Sequence, residues 1–433
     1  MGPTGPRPPA QDVAFGMEFY RSRTPGVTGR TKASPDDFHV SEISDYPLPD
    51  PAGSFTILRL ESWEWEQHEL GAAIARRLEL PHASVRWAGT KDRRAVTERL
   101  FSYLGPPPEG ELGLPRVRLL DAYTAREGLS LGHHFGNAFE IRVIGLEAPA
   151  ADAAEGFRAT ERELRQCGSW PNFFGPQRFG EVRPVTHEVG RCLVRGDVAG
   201  AVETYLAARP PGTPDSVGDA ARAAYAATHD VARALREFPA HYRFERAILE
   251  RLARGDPPER AIRALSRDLR LLFVHAFQAL LFNRWLSRRY REGLPLDRPL
   301  PGDWILRVGR DGTVRSQEGV PVSADNEQEC ADLVARGGGL LAGPLVGFET
   351  PGGDGPAGAL LEAVLRDERI DRSMFRLPAT PEIASRGAFR PAVLPVPPIG
   401  ISPVEDGVRF RFALPKGAYA TVLLREFLKT GAE

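Results

Sequence analysis

The chain has 433 residues, 42% hydrophobic and 26% charged, the balance of a soluble globular protein long enough for two or three domains. Its formal net charge of −1 argues against a globally basic protein that coats nucleic acid, so any nucleic-acid surface must be a local patch. Three scattered cysteines, Cys167, Cys192 and Cys330, form no C-x-x-C pair, which argues against a zinc ribbon and against a disulfide framework. A reducing compartment is the expectation. Residues 1–10 are rich in Pro and Gly, read as a floppy tail, and lack the apolar stretch of a signal peptide. No apolar run approaches the length of a membrane span, so a cytoplasmic protein without a membrane partner is expected.

In chain order, residues 38–43 alternate imperfectly and 55–60 are strand-like. Residues 67–80 carry Leu70, Ile74 and Leu78 at helical spacing and end at Pro81. A short apolar run at 85–89 precedes a strand at 96–104, and Phe139, Ile141 and Val143 share one face of another strand. The middle is mostly helical. Residues 156–167, 197–208, 243–253 and 261–289 have helical apolar spacing, interrupted by loops at 209–214 and 293–302. A strand-like patch at 304–308 leads to a helix at 327–335, a Gly-rich loop near Gly337 that lacks phosphate-loop spacing, and a helix at 359–370. Val408, Phe410 and Phe412 alternate as a strand; 414–417 is a break; Ala420, Leu423, Leu424, Phe427 and Leu428 form one helical face. An α+β beginning, a helix-rich middle and a β–α ending predict one domain interrupted by another.

The stretch Ala88-Gly89-Thr90-Lys91-Asp92-Arg93-Arg94-Ala95-Val96-Thr97 holds the candidate chemistry. It sets one carboxylate, Asp92, among Lys91, Arg93 and Arg94 beside a small-residue turn. Neighbouring cations favour the ionised form of a carboxylate, and the same cations attract a phosphate backbone. By charge alone a solvated surface turn is the plainer reading. Lysine usage bears on that choice: only four of the 56 cations are lysine (Lys32, Lys91, Lys416 and Lys429), and one of them stands beside Asp92. A compact ammonium differs from a guanidinium in geometry and hydration. Arg284 and Arg288 lie four apart on a helix and form a small cationic stripe, open equally to phosphate binding or to a solvated face. His133-His134 lacks a third ligand at suitable spacing, which argues against a metal.

Segments along the whole chain resemble one family. The run 89–97 resembles the signature of the TruD family of tRNA pseudouridine synthases. Lys32-Ala33-Ser34-Pro35-Asp36-Asp37-Phe38-His39-Val40-Ser41-Glu42 is similar to its K-x-x-P-x-D-F-x-V-x-E element, and Gly136-Asn137-Ala138-Phe139 to its G-N-x-F element. Pro171 to Gly180 contains N-F-F-G-x-Q-R-F-G, Gln278 to Asn283 reads Q-x-x-L-F-N, and Phe412 to Thr421 reads F-x-L-P-x-G-x-Y-A-T. Six elements in the family's order, from Lys32 to Thr421, are far more specific than any one.

The resemblance implies an α+β fold: a pseudouridine synthase mixed-sheet catalytic domain of residues 1–171 and 388–433, interrupted by a helix-rich α+β insertion at 172–387. It implies tRNA as substrate, with the uridine at position 13 as the expected target, no cofactor or metal, and no obligate protein partner. The N-glycosidic bond of a uridine breaks, the base turns, and it reattaches through C5. Asp92 matches the family's catalytic Asp. Phe38 and Phe412 match rings that line the substrate site, Asn137 matches an amide that contacts substrate, Phe139 packs on the base, and Lys32 supports Asp92. The base is flipped from the RNA stack into a cleft between the two domains. Each residue also has a plainer reading. The three Phe alternate with core residues, Asn137 suits a turn, and Lys32 suits a local ion pair with Asp36 or Asp37. The alternative function is a non-catalytic RNA-binding or RNA-folding protein using the same surface, which has no use for a carboxylate facing phosphates.

Overall fold

The computed structural model describes residues 5–81, 84–89, 91, 94–132, 134–180, 182–209, 217–309, 312–314 and 316–429. The chain forms strands β1 (Phe38–Ile43), β2 (Phe55–Trp63), β3 (Arg86–Trp87), β4 (Val96–Leu104), β5 (Val117–Ala125) and β6 (Gly136–Val143). Short strands β7 (Ser169–Pro171), β8 (Trp304–Arg307), β9 (Val320–Pro321), β10 (Gly339–Leu345), β11 (Ala388–Pro391) and β12 (Val393–Pro395) follow, and the chain closes with β13 (Gly400–Val404) and β14 (Gly407–Pro415). It divides into two compact units. The first comprises residues 1–6, 20–168 and 395–433, and the second residues 7–19 and 169–394.

The first unit is built on a mixed sheet of order β13-β14-β6-β1-β4-β2-β5, with β3 paired to β4. β1 runs parallel to β4 and antiparallel to β6, so an α+β mixed sheet is the fold class. Strand periodicity sorts the side chains into two faces. The register Phe410–Ile141–Phe38 and Phe412–Phe139–Val40 puts these residues on one inner face. At one end of that face Phe410 packs edge-on against Phe157 of helix Ala150–Cys167 and Phe427 of helix Ala420–Leu428, at 4.9 and 5.3 Å between centroids. At the other end Leu70 and Ile74 of helix Gln67–Arg77 close a core with Leu58, Leu60 and Phe101. The outer face carries cross-strand ion pairs that reach solvent, among them Arg411–Glu140 at 2.6 Å and Arg118–Glu61 at 3.0 Å.

The second unit holds a four-stranded sheet, β11-β10-β8-β9, and the 25-residue helix Arg267–Arg291. The sequence predicts this helix from 261. It starts later because Ser266 caps it, its hydroxyl accepting from the Leu269 amide at 3.2 Å, after a 3₁₀ turn at Ile262–Ala264. Helix Thr186–Val194 lies so close to it that a Cβ on Gly190 would fall 1.9 Å from the Phe273 carbonyl oxygen. Residues 7–19 pack within this unit, and of these only 7–10 belong to the segment expected to be loose. Phe15 stacks on Phe179 at 4.6 Å, Phe19 on Tyr290 at 3.9 Å, and Ser287 Oγ donates to the Gly16 carbonyl at 2.6 Å. Phe15 and Phe19, just after the Pro/Gly-rich stretch, supply the burial that holds this segment. Among the described residues no helix is long and apolar enough to cross a membrane.

Candidate active site

The inner face of the large sheet brings most of the expected residues together. β6 is its spine. Asn137 is flanked in register by Glu42 and Leu414, Phe139 by Val40 and Phe412, and Ile141 by Phe38 and Phe410. Phe139 stacks on Phe412 at 5.4 Å between centroids and meets Phe38 edge-on at 6.1 Å. Lys32 Nζ lies 4.5 Å from the Phe38 ring centroid, a cation–π contact. Lys32, Phe38, Phe139 and Phe412 thus form one cluster, with Asn137 one inward position further along β6. The three rings are buried against each other and retain 2, 8 and 5% exposure in the order Phe38, Phe139, Phe412.

Asn137 is a strand residue rather than a turn residue. The turn reading fails because Gly136 opens β6 beside β14: a Cβ there would sit 2.1 Å from the Leu414 carbonyl oxygen, so only glycine lets the strands pair at this point. Asn137 Oδ1 is buried and has no hydrogen-bond partner among the described residues. A buried carbonyl oxygen left unpaired costs about 1–3 kcal/mol and marks a position where a donor is wanted.

Beside the rings lies a buried ionic cluster. Lys91 Nζ donates to Glu42 Oε2 at 2.9 Å, and the two side chains are only 3% and 2% exposed. Arg99 shares the face of Thr97 on β4 and donates to Ser62 Oγ at 3.1 Å and to Gln67 Oε1. Burial pulls the pKa of Arg99 down to about 10, partly offset by the carboxylates of Glu42 and Glu66, and burial likewise lowers that of Lys91 against the pull of Glu42. His134 is pushed down by burial and then by the Lys91 ammonium.

Backbone bonds tie the loops around this cluster. The Gly132 amide donates to the Ala88 carbonyl at 2.7 Å, Lys416 Nζ donates to the Gly132 carbonyl at 2.8 Å, and the Phe135 amide donates to the Ile43 carbonyl at 2.9 Å. The His134 ring presses on Gly89, where an added Cβ would meet it at 2.8 Å. Asp92, the expected catalytic carboxylate, lies outside the described residues, as do Thr90, Arg93 and His133. Lys91 and Arg94 on either side of it are described; the first is turned onto Glu42 and the second is exposed.

Two site residues escape the sequence reading. Glu42 closes the first motif and shares the inward parity of Phe38 and Val40, so an acid on a buried strand face is the available signal. Arg99 shares the parity of the buried Thr97 and Phe101. The Arg284 and Arg288 stripe is consumed by ion pairs instead of standing free: Arg284 pairs with Glu368, and Arg288 with Asp367 at 2.6 Å and Glu292 at 2.7 Å.

Comparison with known proteins decides the family. Residues 14–427 match the family described as TruD, tRNA pseudouridine synthase D. The chain belongs to the TruD family. It is 37% identical over 434 residues to the "Probable tRNA pseudouridine synthase D" of Halobacterium salinarum, covering 96% of each chain. It is 36% identical over 422 residues to the protein of that name from Archaeoglobus fulgidus, covering 96% of this chain and 98% of the other. The crystal structure of the putative TruD protein from Methanosarcina mazei superposes with a TM-score of 0.83 at 29% identity, over 97% of this chain and 98% of that one. As a member of the TruD family the chain is a pseudouridine synthase, an isomerase.

Proposed function

We propose that the enzyme converts a uridine of tRNA to pseudouridine on the inner face of the mixed sheet, with Asp92 as the catalytic carboxylate and position 13 as the target. The observation that carries this reading is the juxtaposition on β1, β6 and β14 of three Phe rings and an Asn whose buried oxygen is unpaired among the described residues, with Lys91, the residue next to Asp92, tied to Glu42 of β1. Residues 1–171 and 388–433 supply the catalytic domain of this proposal, and 172–387 the insertion.

The reaction is an isomerisation, so no external reductant or oxidant enters. The N1–C1′ bond breaks, C5 bonds to C1′, the proton on C5 is released and N1 gains one. Extruding the base from the RNA stack costs a few kcal/mol. Stacking on an aromatic ring returns about 1–3 kcal/mol per base, which is the role of Phe38, Phe139 and Phe412. Opening this packed cluster to admit the base is part of the same cost. Asn137 Oδ1 accepts from an N–H of the uracil edge. Lys32, held over Phe38, supplies positive charge beside the same cluster. Asp92 acts on the sugar, where positive charge develops at C1′ as the base departs.

The test is Asp92→Asn. Pseudouridine formation in tRNA is expected to be lost, while tRNA affinity changes little or rises because a carboxylate no longer faces phosphates. Turnover at the normal rate in that variant overturns the assignment of Asp92.

A further inference from the structure

The proposed function gives Asp92 a role but leaves unstated what aims it. We propose that Glu42 is the positioning residue for Asp92: it draws Lys91 inward and ties the chain one residue before the catalytic carboxylate to strand β1. The inference rests on the catalytic reading of Asp92.

The first ground is geometry. Glu42 Oε2 and Lys91 Nζ lie 2.9 Å apart with both side chains almost wholly buried, so this ammonium faces its carboxylate partner inside the protein and not the solvent side where a phosphate would lie. Its direction is inward, although its sequence neighbours read as an RNA-facing cluster. The second ground is energetic. Burying an ion pair costs several kcal/mol per ion in lost hydration, and removing one partner leaves the other uncompensated. The outer face of the same sheet shows that β-strand charges here can pair in solvent, as Arg411 and Glu140 do at 62 and 40% exposure. Burying this one pair therefore secures a position and adds little stability over an exposed pair.

The third ground is the bracket it completes. Before Asp92 the chain is held at Ala88 by the Gly132 amide, at Gly89 by the His134 ring, and at Lys91 by Glu42. After it, Ala95 is fully buried and Val96 enters β4 opposite His39 of β1. Glu42 and His39 belong to the same strand, so β1 fixes both ends of the segment that carries Asp92. A misplacement of about 1 Å in a catalytic group costs about 100-fold in rate. Arg99, a second buried cation on the same face, makes no ion pair with Glu42 among the described residues and donates to Ser62 Oγ and Gln67 Oε1 instead, so Lys91 is the cation that Glu42 holds.

The experiment separates positioning from RNA contact and from folding. Single-turnover and steady-state kinetics on tRNA are measured for Glu42→Asp, Lys91→Gln and the double variant Glu42→Gln/Lys91→Gln. Glu42→Asp keeps every charge and shortens the tie. The double variant removes one charge of each sign and leaves no orphaned ion from the pair. Expected is a fall in kcat of about 100-fold for Lys91→Gln and for the double variant, and about 10-fold for Glu42→Asp, with KM for tRNA within about threefold of wild type. The thermal midpoint should drop in Lys91→Gln and recover in the double variant while its kcat does not. A lysine that touched phosphate would instead raise KM and reduce the salt slope of tRNA binding by about 1; that result overturns the proposal, as does a double variant with wild-type kcat. Wild-type enzyme that forms no pseudouridine in any tRNA overturns the proposed function itself, a different outcome from a fully active double variant.

Discussion

Two asparagines in the two units of this chain make an instructive pair. Asn283, fully buried on the long helix, spends its whole amide: Nδ2 donates to the carbonyls of Phe15 at 2.8 Å and Phe174 at 2.9 Å, and Oδ1 accepts from the Phe174 amide at 2.9 Å. Asn137, on the spine of the large sheet, leaves Oδ1 buried and unpaired among the described residues. Both sit in family motifs and both would be scored alike by residue type. The difference is that one satisfies its neighbours' backbone and the other has no partner for its Oδ1 among the described residues. Glu42 Oε1, in register with Asn137 on β1, is likewise buried and unpaired among the described residues, so unspent acceptors cluster at this end of the inner face. Other motif residues of the second unit follow the Asn283 pattern. Asn172 Nδ2 donates to the Pro391 carbonyl at 2.9 Å, Arg390 donates to Asn172 Oδ1 at 2.8 Å, and Gln278 Nε2 donates to the Val346 carbonyl and to Ser385 Oγ. These motif residues latch loops and strands together within their own unit.

The contrast can be broken at three points. The largest effect is expected from Asn283→Ala, which removes three side-chain hydrogen bonds to backbone groups in a buried site. Denaturant unfolding should show a loss of about 2–4 kcal/mol, with kcat per folded molecule retained. Asn137→Ala should do the reverse. Its unfolding free energy should stay within about 1 kcal/mol of wild type, while kcat/KM for tRNA falls about 10- to 100-fold, equivalent to about 1.4–2.8 kcal/mol of transition-state binding. An Asn137→Ala variant that loses stability and keeps its turnover would place Asn137 with Asn283 as a structural latch. The smallest effect belongs to the outer face. Glu140→Ala removes the partner of both Arg411 and Arg409, all three reaching solvent, and should change stability by about 0.5 kcal/mol or less, measured by thermal unfolding at low and high salt. That result, set against the buried Lys91–Glu42 pair, would show that exposure decides what an ion pair is worth.

Much of the sheet is legible in the order of residues. The alternation of Val408, Phe410 and Phe412 and of Phe139, Ile141 and Val143 predicts strands whose inward sets meet in β14 and β6. The helices at Arg243–Ala253 and Glu327–Ala335 fall where helical spacing puts them. Strand β5, with an uneven burial pattern and a register shift opposite Arg59 and Leu60, offers no clean period and escapes a periodicity reading. The helices at Thr186–Val194 and Val217–Thr228 are also absent from that reading, although Val189 and Leu193 of the first lie four apart on its buried face. Within the site, Phe38, Phe139 and Phe412 are legible as candidates from motif order. Their mutual stacking is not, since it depends on β6 standing between β1 and β14.

By itself the sequence determined the side-chain parity of each strand and the family to which its motifs point, because pleat and motif spacing are local properties of the chain. Only the tertiary structure decided which strands are neighbours, and with that the fate of the charges. Lys91 reads in sequence as one of several cations around Asp92. It becomes an inward anchor because strand order places Glu42, 49 residues earlier, within hydrogen-bond distance. A charge on a turn can face solvent or protein with equal local propensity, and the choice is made by the partner that folding brings to it.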